Sequence, residues 1–268
     1  MRKFLRYMIK LILFVAISLW ACIRFHFSNA ELFIFAFCFY IVLCIAENMP
    51  SVVRREKLQR LGNAQGIYSD AYVERLLKVV KKEDKAGRVP LYISLIAVYL
   101  GRDELEKAEN IIGALPIDWP EHFTYKLLNK EMMRMRAALY FNNAIVCYYH
   151  MGNTEKADHY YHAGRKYIED YLENGQNRTL KSAIKETMAS YAELHGEAER
   201  ALQLLEEMEK TNNLENFCSG AILRARIYIK RGNTEEARAL LESIAGKNEN
   251  PLLNRKAEEM LESIQASH

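Results

Sequence analysis

Cysteine, proline and glycine are all scarce in this chain, with 5, 5 and 12 occurrences among 268 residues. No two cysteines form a CxxC pair, so the spacing typical of zinc fingers and of dithiol redox sites is lacking. Few prolines and glycines leave long stretches free to form helices, and half of the residues are apolar. The chain is therefore predicted to fold around a sizeable core rather than to be disordered.

Motifs typical of enzyme active sites are also lacking, since the chain contains no P-loop, paired-glycine nucleotide loop or serine elbow. His159 and His162 fall on one face of a predicted helix, and His150 precedes that helix. No cysteine or carboxylate completes a metal site with them. We therefore expect no catalytic residue, no metal and no cofactor, and we predict that the chain is not an enzyme.

Positive charge is concentrated near the N-terminus. Residues 1–60 contain nine Lys or Arg and three acidic residues, whereas the remainder contains 28 basic and 31 acidic residues. A nucleic-acid-binding domain needs a basic surface of its own, and residues 61–268 are slightly acidic. No nucleic-acid partner is therefore expected.

Most of these basic residues flank two apolar runs. Residues 8–27 and 30–49 are each 20 residues long, and a helix of that length spans about 30 Å, the thickness of a bilayer core. Three basic residues precede the first run and four follow the second, and the runs themselves contain only Lys10, near the start of the first, and Arg24, near its end. By the positive-inside rule, this pattern predicts a transmembrane hairpin in residues 1–50 that is integral to the plasma (inner) membrane, with both termini in the cytoplasm.

A secretory or lipoprotein signal is the alternative interpretation of the first run, because Leu19-Trp20-Ala21-Cys22 loosely resembles a lipobox. Tryptophan before the small residue is atypical of such signals. A second apolar run also follows almost at once, where a polar tether is expected.

The rest of the chain is predicted to be a basic linker at 51–68 and a helical solenoid at 69–268, whose last helix, 251–266, is a solvated end cap. Pro90 is placed in the first turn of a helix, where its missing amide is harmless. The predicted helix pairs are 91–100 with 105–115, 123–151 with 155–172, 180–195 with 198–208, and 214–230 with 235–244.

A repeated turn supports the solenoid. Gly152-Asn153-Thr154-Glu155-Lys156-Ala157 returns as Gly232-Asn233-Thr234-Glu235-Glu236-Ala237, in each case with a tyrosine nine residues before the alanine. Glycine can end a helix in the left-handed conformation, and the alanine five residues later lets two helices approach closely. Gly196 and Ala201 repeat this spacing, whereas Gly101 and Ala108 depart from it by two residues.

This order of tyrosine, glycine and alanine resembles the tetratricopeptide repeat, whose 34-residue unit carries an aromatic residue late in its first helix and a small residue early in its second. The resemblance covers roughly residues 89–246. The intervals between the alanines Ala108, Ala157, Ala201 and Ala237 are 49, 44 and 36 residues, so an irregular superhelix is expected. The predicted fold class is thus all-α, a transmembrane hairpin followed by a tetratricopeptide-like solenoid.

The resemblance also implies a binding groove, because the first helices of such repeats line the inner face of the solenoid. The positions that correspond to the groove are Asn142, Asn143, Tyr149, Glu186, Ser190, Glu193 and Arg226. These residues form a polar surface suited to an extended or helical peptide.

Two functions agree with these expectations. The first is a membrane-anchored scaffold or adaptor that binds a protein or peptide partner through the groove. The alternative is a membrane-associated sensor in which a bound peptide or ligand changes the shape of the solenoid. The oligomeric state is not indicated by the sequence.

Overall fold

The computed structural model describes residues 17, 34, 49–122, 130–208, 214–247 and 250–266. Every regular element within these ranges is helical, and they contain no strand. The chain divides into two compact units, Met1–Arg60 and Leu61–His268. In the first unit, the described residues 17, 34 and 49–60 are all helical.

The second unit is a series of helices that follows helical residues 61–65. Its helices are α1 (Asp70–Lys82), α2 (Lys85–Gly101), α3 (Leu105–Gly113), α4 (Trp119–His122), α5 (Lys130–His150), α6 (Thr154–Asn174), α7 (Arg178–Leu194), α8 (Ala198–Glu206), α9 (Leu214–Lys230), α10 (Thr234–Ile244) and α11 (Pro251–Ala266).

Most of these helices form hairpins with their neighbours in the chain: α2 with α3, α5 with α6, α7 with α8, and α9 with α10. The first helices of the hairpins also contact one another in the order α2, α5, α7, α9, and α11 continues this layer beyond α9. Helix α11 in addition contacts α2, so the layer returns to its starting point. We call these five helices the inner ring.

All four hairpins use the same backbone turn. A residue with positive φ lies two positions after the end of each first helix, and these residues are Asp103, Gly152, Gly196 and Gly232. The amide of the next residue bonds to a carbonyl five positions back, as in Asn153 N to Tyr148 O at 2.9 Å and Asn233 N to Tyr228 O at 2.9 Å. The alanine five residues after the left-handed residue is fully buried in every case.

In the first hairpin, Gly101 is not the left-handed residue of the turn, which explains its different distance from the alanine. Asp103, five residues before Ala108, adopts φ 60°, and Glu104 N bonds to Tyr99 O at 2.8 Å. Aspartate is among the few non-glycine residues that enter the left-handed region readily. The turn is therefore the same as in the other hairpins, with aspartate in the place that glycine takes elsewhere.

Helix α2 begins earlier than the sequence predicts. Asp84 caps it by accepting a hydrogen bond from Gly87 N at 2.9 Å, so the helix begins at Lys85 and Pro90 lies inside it. The prediction that Pro90 occupies the first turn is wrong, because a good N-cap outweighs the single backbone hydrogen bond that proline removes.

The core is richest around α5. Tyr140 and Phe141 are fully buried, with their ring centroids 5.1 Å apart, and Trp119 meets Tyr140 edge to face at 5.8 Å. Phe141 also stacks on Tyr167 of α6 at 5.3 Å. Helix α5 is surrounded by α2, α3, α6 and α7, which explains why apolar residues occur on all its faces.

No helix in the described ranges is both long enough and apolar enough to cross a membrane. The longest, α5 and α6, have 21 residues each; α5 has four charged residues in its first seven positions, and α6 has charged residues throughout. The predicted fold class is therefore corrected to an all-α chain without a membrane-spanning helix in the part described. The predicted placement as an integral membrane protein is corrected by the same finding. The predicted hairpin helices, 8–27 and 30–49, lie outside the described residues except for positions 17, 34 and 49.

Candidate functional site

The inner helices α5, α7 and α9 end at a shared polar cluster. Tyr149 and Glu193 are the penultimate residues of α5 and α7, and Lys230 is the last residue of α9. The members of this cluster, which we call the polar cluster, are Tyr149, His150, Glu193, Arg226, Lys230 and Lys256. Cations are favoured at this place because helix C-termini carry a partial negative charge.

Glu193 is the centre of the polar cluster. Its side chain is only 5% exposed, and it forms ion pairs with Arg226, at 3.7 Å, and with Lys230. The Tyr149 hydroxyl donates a hydrogen bond to Glu193 Oε2 at 3.2 Å. Burying a carboxylate costs several kcal/mol unless partners replace its water, and here two cations and a hydroxyl do so.

Tyr149 joins the carboxylate to the arginine. Arg226 Nη1 donates to the Tyr149 hydroxyl, and the guanidinium carbon lies 5.3 Å from the centre of the tyrosine ring. Burial raises the pKa of Tyr149 well above its usual range, and this outweighs the opposing effect of Arg226. The hydroxyl therefore keeps its proton and continues to donate to Glu193.

His150 and Lys256 form the second half of the polar cluster. Lys256 Nζ lies 2.7 Å from His150 Nδ1, and because an ammonium group can only donate, the imidazole accepts. Burial, with Lys256 and Arg226 nearby, lowers the pKa of His150 to about 3. The imidazole is therefore neutral near pH 7, as an acceptor must be.

A cavity of about 320 Å³ adjoins this half of the polar cluster. It lies between α9 and α11. Its lining residues are Arg226, Ile229, Lys230, Lys256, Glu259 and Met260. The cavity thus combines three cationic side chains, one carboxylate and two apolar side chains.

The remaining predicted groove residues lie in the same layer of inner helices. Glu186 of α7 accepts a hydrogen bond from Ser219 of α9. Asn142, Asn143 and Ser190 are each more than 90% buried. Asn142 Oδ1 and Asn143 Nδ2 have no hydrogen-bond partner among the described residues.

Tyr149, Glu193 and Arg226, which the sequence analysis selected for the groove, are thus in direct contact. Their neighbours His150, Lys230 and Lys256 were not predicted to belong to the groove. Lys230 could have been found, because it lies one helical turn after Arg226 and so shares its face.

The sequence predicts helix α11 to be a solvated end cap, but two of its charged residues contact distant parts of the chain. Arg255 forms an ion pair with Asp103, the residue that ends the first hairpin turn, and Lys256 bonds to His150. Asn250, just before α11, lies 3.5 Å from the Tyr68 hydroxyl. Arg255 and Lys256 thus have partners in distant parts of the chain, whereas Glu258, Glu259 and Glu262 on the same helix are exposed.

No protein-family model matches the chain, and no significant similarity to a curated protein or to a solved structure is found. The tetratricopeptide resemblance therefore stays a prediction based on the turn residues. The described residues contain no group of three or more His, Cys, Asp or Glu side chains placed to hold a metal ion.

Proposed function

We propose that the chain is a non-catalytic helical scaffold that binds a peptide segment of a protein partner through the inner ring. The observation that carries this proposal is the pair of buried carboxamides with open hydrogen-bonding atoms, Asn142 Oδ1 and Asn143 Nδ2. One is an acceptor and the other a donor. Together they match the N–H and C=O groups of an extended peptide.

The free-energy cost of leaving these two atoms without partners supports a binding role for them. A buried polar atom without a partner costs about 1–3 kcal/mol, and an apolar side chain at either position avoids that cost. A bound peptide that supplies the missing partners recovers it. Both side chains are buried, so the peptide reaches them only when the inner helices separate locally.

The proposal is tested by selecting displayed peptides against the full chain and measuring their affinity by fluorescence polarisation. We expect peptides selected by the wild type to bind the double variant Asn142→Ala, Asn143→Ala at least tenfold more weakly. Asn174→Ala is the matched control, because Asn174 is an asparagine on α6 whose amide bonds to the exposed Asp170. Selection of no peptide by the wild type, or equal binding by the double variant, contradicts the proposal.

A second candidate function, a sensor, is favoured by the contact between α11 and α2. Because Arg255 and Asp103 hold the two ends of the inner ring together, a ligand that opens the ring between α2 and α11 also breaks this ion pair. The expected signature is an increase in the radius of gyration, measured by small-angle X-ray scattering, when a selected peptide binds the full chain. An unchanged radius on binding supports the scaffold instead.

A further inference from the structure

The cavity between α9 and α11 contains an ammonium group without a carboxylate partner. Lys256 is in no ion pair among the described residues, and its hydrogen bond goes to the neutral ring of His150. No backbone carbonyl in these ranges accepts a hydrogen bond from its Nζ. The ends of α5 and α9 offset its charge only partly, at about half an elementary charge per helix terminus.

The other cations in and beside the cavity form ion pairs with carboxylates. Arg226 and Lys230 both pair with Glu193, the one carboxylate of the polar cluster. Glu259, on the cavity wall, is exposed and pairs with Arg255 at 3.5 Å. Arg255 also pairs with Asp103. Of these four cations, Lys256 is therefore the one without an ion pair among the described residues.

The environment of Lys256 disfavours its charged form. Burial, followed by repulsion from Arg226 and Arg255, lowers the pKa of Lys256 to about 8, although Glu259 acts in the opposite direction. An anion in the cavity supplies the missing charge and relieves that cost.

The apolar residues narrow the choice of anion. Ile229 and Met260 line the cavity beside the cations, so an occupant with an apolar portion covers them. A volume of about 320 Å³ suits a small molecule. A single unbalanced charge matches a carboxylate better than a phosphate, which carries up to two negative charges near pH 7.

We propose that this cavity binds a small monocarboxylate with a short apolar chain. Lys256 and Arg226 hold the carboxylate, and Ile229 and Met260 contact the chain. The guanidinium of Arg226 has further N–H groups besides the one that bonds to Tyr149, so it can serve both partners. The proposal does not depend on the peptide-binding function, because the two sites use different residues.

Isothermal titration calorimetry on the full chain tests the proposal with four probes: 4-methylpentanoate, N-acetylleucine, 4-methylpentanamide and inorganic phosphate. We expect the two carboxylates to bind and the neutral amide and phosphate to bind at least tenfold more weakly, because a charge-assisted hydrogen bond to Lys256 is lost or mismatched. Tighter binding of N-acetylleucine identifies the source as a peptide C-terminus, and tighter binding of 4-methylpentanoate identifies it as a free acid. Failure of both carboxylates to bind, or equal binding of the amide or of phosphate, overturns the proposal.

Variants of the cavity residues test whether the carboxylate binds between α9 and α11. Lys256→Gln should weaken carboxylate binding at least tenfold, whereas Lys78→Gln, which removes an exposed lysine of α1, should leave it unchanged. Met260→Trp fills the cavity without altering charge and should also abolish binding, which keeps the test valid if Lys256→Gln fails to fold. Binding that survives Met260→Trp in a folded protein places the ligand elsewhere and overturns the proposal.

The pH dependence is a further check. In the free protein Lys256 loses its proton as the pH rises through about 8, so wild-type affinity should fall above that pH. The charged and titratable groups that face Lys256 are His150 on α5, Arg226 on α9, and Arg255 and Glu259 on α11. His150 does not titrate between pH 7 and 9, because its pKa is about 3. A flat affinity profile from pH 7 to 9 contradicts the role given to Lys256.

Discussion

The hairpin of α5 and α6 and that of α9 and α10 have the same turn but different helices. The amide of Gly152 bonds to Tyr149 O at 3.1 Å, and that of Gly232 bonds to Ile229 O at 3.0 Å. The helices joined by the first turn have 21 residues each, whereas those joined by the second have 17 and 11. The turn geometry is therefore independent of how long the flanking helices are.

The two hairpins also differ seven residues beyond the buried alanine. The long hairpin has Gly164 there, and a methyl group on Gly164 would lie well within 3.0 Å of the Phe141 ring. The short hairpin has Ile244, which is 3% exposed and part of the core with Leu241 and Ala257. The same structural position thus brings helices together in one hairpin and fills the space between them in the other.

Exchanging side-chain size at this position should give the largest effects. Ile244→Ala leaves a cavity in the short hairpin and should lower the free energy of unfolding by about 2–5 kcal/mol. Gly164→Ala overpacks the long hairpin and should lower it by about 1–3 kcal/mol, although alanine is the better helix former. Urea denaturation of the full chain followed by circular dichroism measures both changes. A stabilising Gly164→Ala would show that Phe141 can move aside.

Alanine in place of the turn glycines should give a smaller and equal loss. Gly152 and Gly232 have φ 66° and 82°, and a methyl group added at either position would have no other atom within 4 Å. The cost is therefore that of left-handed backbone alone, about 1–2 kcal/mol at each site. The measurement is the same denaturation experiment. A difference of more than about 1 kcal/mol between the two variants would mean that the turns are not equivalent.

Removal of the turn asparagines should give the smallest loss of stability, and the loss should differ between the two hairpins. Asn153 accepts a hydrogen bond from Lys156 N at 3.0 Å, whereas the side chain of Asn233 makes no capping bond. Asn153→Ala should therefore cost about 1 kcal/mol, and Asn233→Ala only a few tenths. Amide hydrogen exchange in the first turns of α6 and α10 offers an independent readout. Equal costs would contradict the difference in capping.

Much of the helix pattern could be predicted from the sequence, because local rules decide it. The end predicted for α9, residue 230, is the one observed, and α7 begins and ends within two residues of the prediction. Apolar periodicity and the glycine turns carry this information. The start of α2 was missed because the cap at Asp84 and the proline at 90 gave opposite signals.

The candidate site was only partly accessible to the same reasoning. Tyr149, Glu193 and Arg226 were assigned to one groove by counting helical positions from the turns, because equivalent positions recur in each hairpin. The burial of Tyr149 and Glu193 was not predicted, because it depends on contacts between helices far apart in the chain. Lys256 was assigned to a solvated helix for the same reason, and no periodic pattern marks its contact with His150.

The contact of α11 with α2 has a consequence for how the second unit unfolds. In an open array of hairpins each repeat touches only its neighbours, so the terminal repeats fray first and stability is close to a sum of nearest-neighbour terms. Here the residues Tyr68 and Asn250, 182 positions apart, are in contact, and neither end of the array is free. Loss of either terminal helix removes support from the other, so we expect the two ends to unfold in one cooperative transition. Contact between residues so far apart in the chain costs much loop-closure entropy, so we expect it to form late in folding.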